Sequence, residues 1–334
     1  MSGSLLQTTK VSLQGIEMPK ALASIDIGSH TARLLISRNS GTSTLLCPLA
    51  RKRAYIRLGE GLDLSGKKII QPGAIGRTLN VLRDFLPYLK GSNAYLAGAV
   101  STGVVREAAN RDEFLSCIHK ETGILVRSIT GDEEALLTGK GVVHALDIRP
   151  GPFLVFDLGG GSTEFFFGGG SEPIVRSIAM GAAVLTQEFF NSDPPEQEEV
   201  DALSRYVEQR LKEELTGPMD GVGCGAVIGT GGTVAALAAM FYGISPDETL
   251  LESLNGLMLK RPQIEGLFGQ MRNLDLEERS RLSGLDPGRA AVILAGCLVV
   301  IKILRFFKAQ YMTVSLSDLL EGILIDHLQG EGYE

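Results

Sequence analysis

Three short stretches of the 334-residue sequence combine residue types that suit phosphate chemistry: DIGSHT (26–31), DLGGGST (157–163) and GTGGT (229–233). Glycine, lacking Cβ, lets backbone N–H groups approach an oxyanion closely, and serine and threonine hydroxyls add donors, as turns and helix N-termini do when they hold phosphate. The donors read in this way are Gly28, Ser29, His30 and Thr31 in the first stretch. Gly159, Gly160, Gly161 and Ser162 follow in the second, and Gly231, Gly232 and Thr233 in the third. A carboxylate at a strand end beside such a turn suits Mg²⁺, which keeps several waters and takes one or two carboxylates together with phosphate oxygens. Asp157 is the candidate ligand, with Glu164 seven residues on across a hairpin. One glycine turn alone is equally an ordinary hairpin; three of like composition point to an anion site.

The elements that must position these loops follow from a repeat. ALASIDIGSHTARLLIS (21–37) and PFLVFDLGGGSTEFFFG (152–168) share one layout, in which an apolar strand delivers an Asp, a hydrophobe, a Gly and small hydroxyl residues before β-rich sequence resumes. Asp26 and Asp157 are 131 positions apart, a domain-sized interval, so two Asp-tipped loops would face each other across a cleft. Further strands are predicted at 44–57, 94–99, 124–128, 172–178 and 225–229. Helices are predicted at 73–90, 101–119, 131–145 and 196–215, with a long apolar helix after Pro287 and a terminal helix over 317–328 capped by Ser317 or Asp318. The alternation makes an α/β chain.

Composition narrows the function classes. At 44% hydrophobic and 21% charged residues the chain folds as a globular protein, and its 41 glycines promise many tight turns. The longest apolar run, Ala290 to Ile301, is stopped by Lys302 and Arg305, so a membrane span is excluded. Residues 1–20 lack a basic stretch followed by a sustained apolar one, so they read as a loose leader and the expected location is cytoplasmic. Cys47, Cys117, Cys224 and Cys297 lie at least 70 positions apart, with no CxxC and no neighbouring His pair, so neither a zinc site nor a disulfide framework is indicated. A net charge of −7 argues against nucleic acid as a partner, yet residues 1–150 hold 19 Lys and Arg against 13 Asp and Glu, net +6, leaving −13 for the remainder. The asymmetry reads either as a first half that faces an anion or as two differently decorated solvated surfaces. The densest basic segment of the first half, Arg51, Lys52, Arg53 and Arg57, reads either as a solvated strand face or as the path of a polyanion. No G-x-G-x-x-G follows a strand, which excludes a Rossmann dinucleotide site.

The segments SIDIGSHTARLLI (24–36), STGVVREAANRDEF (101–114), ITGDEEALL (129–137) and LVFDLGGGSTE (154–164) resemble the exopolyphosphatase and guanosine pentaphosphate phosphatase (Ppx/GppA) family of the actin-like phosphotransferase superfamily. The resemblance implies two actin-like, ribonuclease H-like domains with mixed sheets flanking a central phosphate cleft. The first would span 21–145, with the C-terminal helix within 318–334 packing back on it, and the second 146–317. It implies that Glu134 orients or deprotonates the attacking water, that Arg106 reaches the substrate phosphates, and that Mg²⁺ is the cofactor. The helical C-terminal domain of many members is not expected within these 334 residues, and a homodimer is a further expectation. On residue types alone, Glu133 and Glu134 would be helix-dipole compensation, Ser101 and Thr102 caps or phosphate donors, and Arg33 a structural or solvated strand residue.

Three departures from the family pattern bear on activity or substrate. His30 and Thr31 stand where Asn and Ser are usual, Ala291 stands where an acid is common, and no arginine precedes Glu321. The expected function is Mg²⁺-dependent release of terminal orthophosphate from inorganic polyphosphate by water attack, with the 5′-phosphate of guanosine pentaphosphate (pppGpp) as the alternative substrate. A kinase-like ATPase and a catalytically silent phosphate-binding module on the same fold are the competing readings. The acid of GDEEA, placed on the side of water attack, favours hydrolysis.

Overall fold

Each copy of the repeat folds as an antiparallel strand pair that its own alternation dictates. The computed structural model describes residues 21–39, 46–60, 68–146, 148, 150–216, 225–245 and 252–330. The leader expected at 1–20 and Cys224 lie outside these residues. In the first half, β1 (Leu22–Ile27), β2 (Thr31–Asn39) and β3 (Leu46–Tyr55) form an antiparallel meander, to which β4 (Tyr95–Ser101) and β5 (Arg127–Ser128) add in parallel, giving the order β3-β2-β1-β4-β5. In the second, β6 (Phe153–Leu158), β7 (Thr163–Gly168) and β8 (Ile174–Ile178) repeat the meander. There β9 (Ala226–Thr230), β11 (Tyr311–Val314) and β10 (Met258–Lys260) complete the order β10-β11-β9-β6-β7-β8. The protein is α/β with two mixed sheets of matching topology, the actin-like arrangement.

Helices cover both sheets. α1 (Pro72–Gly91), α2 (Gly103–Glu107) and α3 (Arg111–Thr122) belong to the first half. There Leu82, Phe85, Phe114 and Ile118 pack with Ile25, Ile27, Leu34 and Ile36. The single helix expected at 101–119 is broken in two. Asn110 lies at the break with its amide side chain engaged by the backbone of Ile70, Oδ1 accepting from N–H at 2.9 Å and Nδ2 donating to C=O at 3.0 Å. In the second half, α5 (Ala182–Phe189), α6 (Gln197–Leu215) and α7 (Gly232–Tyr242) join the helix Ile293–Phe306 over a larger core. The three-and-four spacing read in α6 is its buried stripe, Val200, Leu203, Val207, Leu211 and Leu215. No described helix is long and apolar enough to cross a membrane.

Two helices fill the space between the sheets. α4 (Gly131–Ala145) lies on β7 and β8, while the terminal helix Leu319–Leu328, capped by the Asp318 carboxylate, lies on β1 and β4, where Ser24 Oγ donates to Leu320 C=O at 2.8 Å. Their backbones touch because glycine permits it: a Cβ at Gly322 would overlap the Leu137 carbonyl, and one at Gly141 the Asp318 carbonyl. An exposed helical Gly→Ala normally gains up to about 1 kcal/mol. Gly322→Ala is expected to reverse that sign and destabilise by about 1–3 kcal/mol, the range for overpacking a filled interior. The melting temperature of the variant checks it.

Candidate active site

The register of the two hairpins places the loops. In β1 and β2, Asp26 lies directly opposite Arg33; in β6 and β7, Asp157 lies directly opposite Glu164. Both loops close with the same turn, Gly28 N–H to Thr31 C=O at 2.9 Å and Gly159 N–H to Ser162 C=O at 3.0 Å. The carbonyls of Gly159 and Gly160 are taken by the first N–H groups of α5, those of Ala182 and Ala183. Among the described residues, the N–H groups of Ser29, His30, Gly160 and Gly161 have no protein acceptor. Ser29 Oγ accepts from Val104 N–H at 3.2 Å, leaving its own proton for a ligand. The third loop turns at Gly231, whose φ of 92° lies in the left-handed region; its approach to the Asp157 carboxylate and the Leu158 carbonyl leaves no space for a side chain.

These loops enclose a cavity of about 90 Å³ between the two halves. Gly28, Ser29, His30, Thr31, Glu134, Asp157, Gly159, Gly160, Gly161, Ser162, Glu164, Gly231, Gly232 and Thr233 all line it, with Thr102, so the structure brings the candidate residues together except Arg106 and Ser101. Arg106 stands at the back of Glu134, its Nη1 at 3.4 Å from Oε2 and donating to Ile129 C=O at 3.1 Å, and lines a neighbouring cavity with Ser162. The adjacent acids of GDEEA part company. Glu134 is buried and faces the cavity, whereas Glu133 turns outward to Arg127 at 2.5 Å.

Four carboxylates therefore share one small volume: Asp26, Glu134, Asp157 and Glu164. Among the described residues, Asp26 is neutralised by Arg33 through Nε at 2.9 Å and Nη2 at 2.8 Å and Glu134 is met by Arg106 at 3.4 Å, while Arg33 also grips Asp318. Among the described residues, neither Asp157 nor Glu164 has a cation within ion-pair distance; Glu164 Oε1 accepts from Ser177 Oγ at 2.8 Å. Burial pushes the Glu134 and Asp157 carboxyls well above the usual carboxylate range, and the neighbouring charges, Glu164 on Glu134 and Asp318 on Asp157, push the same way. Burial raises Glu164 to about 7. Asp26 Oδ1 is buried without a hydrogen-bond partner among the described residues. The site is short of positive charge.

Three features escape a reading of the sequence. Arg289, carried on the turn Pro287–Arg289, lies buried against Gly232 and lines the cavity. Burial and the positive charge of Arg53 lower its pKa to about 10, and among the described residues no carboxylate pairs with it. No local signal marks this arginine, because only the fold carries its turn to the cleft. Asp318, which caps the terminal helix, adds its carboxylate beside Arg33. The basic run, read as solvated face or polyanion path, is held by internal partners: Arg51 by the buried Glu321, Arg53 by Asp286 at 2.7 Å, Arg57 by Glu60 at 3.2 Å, while Lys52 Nζ sits 4.8 Å over the Tyr88 ring.

Comparison with known proteins agrees with this architecture. The model of the Ppx/GppA phosphatase family matches residues 35–331. Exopolyphosphatase 2 of Mycobacterium tuberculosis is 32% identical over 320 residues, covering 91% of this chain and 97% of the relative. A crystal structure of an exopolyphosphatase from Cytophaga hutchinsonii superimposes with a TM-score of 0.84 at 27% identity, over 93% of this chain and 98% of that one. The Aquifex aeolicus Ppx/GppA family member does so with a TM-score of 0.78 at 31% identity, over 94% and 99%. With the family model spanning most of its length and two mixed sheets meeting over glycine-rich loops, the chain belongs to the Ppx/GppA phosphatase family.

Proposed function

We propose that this phosphoric anhydride hydrolase releases terminal orthophosphate from inorganic polyphosphate by Mg²⁺-assisted attack of water. One observation carries the reading: Glu134 shares a cavity with Asp157, Glu164 and Arg289, none of these three in an ion pair among the described residues, and with backbone donors that have no acceptor there. Phosphoryl transfer to water needs an oriented nucleophile and compensation of charge on the transferred group, and these residues divide that work. Glu134 accepts the proton of the attacking water. Arg106, at 3.4 Å, orients that carboxylate. The N–H groups of Ser29, His30, Gly160 and Gly161, with Arg289, bind the phosphate oxygens.

The residues fit a bound cation. Four acids against two guanidiniums line the cavity, and among the described residues neither Asp157 nor Glu164 has a cation within ion-pair distance. Among the described residues no three His, Cys, Asp or Glu converge into a metal cage; Mg²⁺, held by one or two carboxylates and otherwise by water and phosphate, needs none. Asp157 and Glu164 would hold it, and when bound it would neutralise charge on the bridging and terminal phosphate oxygens. A cytoplasmic location and a homodimer are parts of the same proposal, both resting on sequence.

A second substrate, pppGpp, is favoured by one feature. Beyond Arg33, Gly231, Gly232 and Arg289 the site continues into a cavity of about 390 Å³ whose wall includes the apolar side chains Leu46, Pro48 and Leu316, a surface a nucleoside would cover and a polyphosphate chain would not need. Phosphate release from polyphosphates of graded length, pppGpp and ATP, each with and without Mg²⁺, separates the readings. Mg²⁺-dependent release from polyphosphate and none from ATP is expected; no release from any polyphosphate would overturn the proposal.

A further inference from the structure

One cluster joins the two halves of the protein just outside the cavity. Asp286, from the second half, offers both carboxylate oxygens. Oδ2 accepts from the Tyr55 hydroxyl at 2.7 Å and from Arg53 Nη2 at 2.7 Å, both at the end of β3 in the first half. Oδ1 accepts from Gly288 N–H at 2.9 Å, within the turn that carries Arg289. The turn also lies flat on the first half: a Cβ at Gly288 would come within 2.5 Å of the Tyr55 ring, and His30 packs edge-on against that ring at 5.1 Å with Nε2 3.4 Å from Gly288 C=O. On its far side the turn is tied to its own half, where the buried Arg279 donates from Nε to Ala290 C=O at 3.1 Å.

We propose that Tyr55 and Arg53 are positioning residues that act through Asp286 to hold the Pro287–Arg289 turn, so that Arg289 presents its guanidinium to the phosphate only while the two halves stay closed on each other. The proposal rests on the reading of Arg289 as a phosphate-facing cation. Three observations support it. Arg289 has no carboxylate of its own among the described residues, so its place is set by its backbone, and its backbone is set by Asp286 and Gly288. The contacts cross the cleft, linking residues more than 230 positions apart. Burial pushes the Tyr55 phenol up to about 12, so it stays a neutral donor at working pH. A staple serving stability alone would not need to end one residue from the cation that lines the cavity.

A double-mutant cycle with Tyr55→Phe and Arg289→Ala tests this, with kcat, KM and melting temperature measured for phosphate release from polyphosphate in the full-length protein. Phenylalanine keeps the ring against Gly288 and His30 and removes only the hydroxyl. Alone it is expected to lower kcat/KM about 10-fold, chiefly through KM, the order for one hydrogen bond to a charged group. In the Arg289→Ala background it is expected to cost no more than about twofold, because its effect has no other route. A 10-fold loss that persists in that background, or full activity of Tyr55→Phe alone, overturns the proposal. Full activity of Arg289→Ala would instead sink the reading of Arg289 itself. Should Tyr55→Phe melt below the assay temperature, Asp286→Asn, which keeps an acceptor for Gly288 N–H, takes its place in the cycle with the same expectations.

Discussion

Replacing Glu134 by Gln is expected to slow orthophosphate release from polyphosphate by about 10²- to 10⁴-fold, the contribution of a positioned general base, while KM changes little. The substitution keeps the shape of the side chain, its place in the first turn of α4 and a hydrogen-bond acceptor for Arg106, and removes only the capacity to take a proton. The fold is expected to tolerate the change well. Burial and the charges of Glu164 and Asp26 disfavour the Glu134 carboxylate in the folded state, so losing that charge relieves a penalty. The pH profile supplies a second readout. A base whose folded pKa lies above the usual carboxylate range is active above that pKa and loses activity as pH falls through it, so wild-type kcat should show an acid limb that Glu134→Gln lacks. Glu133→Gln is the control: its carboxylate points away, to Arg127, and near-normal turnover is expected. A fast Glu134→Gln enzyme, or a slow Glu133→Gln one, would remove Glu134 from the mechanism.

The loops and their repeat were legible because their signals are local. An Asp, a Gly and small hydroxyl residues between two apolar strands specify a hairpin turn whose donors cannot point into a core, and the duplication showed that two such turns exist. The same alternation fixes which side chains share a face, so Asp157 and Glu164 emerge as neighbours from a spacing of seven. What stayed hidden depends on partners far away in the chain. Arg51 and Arg53 read as a free basic run because Glu321 and Asp286, which hold them, lie 270 and 233 residues further on. Arg289 follows Asp286, Pro287 and Gly288, residues that signal a turn but not the cleft that the turn faces. The break between α2 and α3 rests on Asn110 meeting the backbone of Ile70, a contact no helical periodicity encodes.

Asp157→Asn and Glu164→Gln are each expected to raise the Mg²⁺ concentration for half-maximal activity by about 10- to 100-fold, a scale met when even the outer partners of a metal site are removed. The repeat itself gives the reason to look here and not at Asp26. Equivalent positions of the two hairpins carry Arg33 opposite Asp26 but Glu164 opposite Asp157, so one copy neutralises its aspartate internally and the other doubles the negative charge. A divalent cation restores balance only in the second. The same asymmetry fixes the sign of a measurement that needs no substrate. Because burial and neighbouring acids hold the folded-state pKa of Asp157 above its unfolded value, its ionisation destabilises the metal-free protein once pH exceeds the unfolded value. At neutral pH without metal, Asp157→Asn should therefore melt higher than wild type. With Mg²⁺ added the order should narrow or reverse, since binding to the folded state stabilises only a protein that still has the ligand. Asp26→Asn should behave differently, releasing Arg33 from one of its two carboxylates without changing the Mg²⁺-induced shift in melting temperature. Equal Mg²⁺ responses in wild type, Asp157→Asn and Glu164→Gln would show that the ion is held by the substrate phosphates alone.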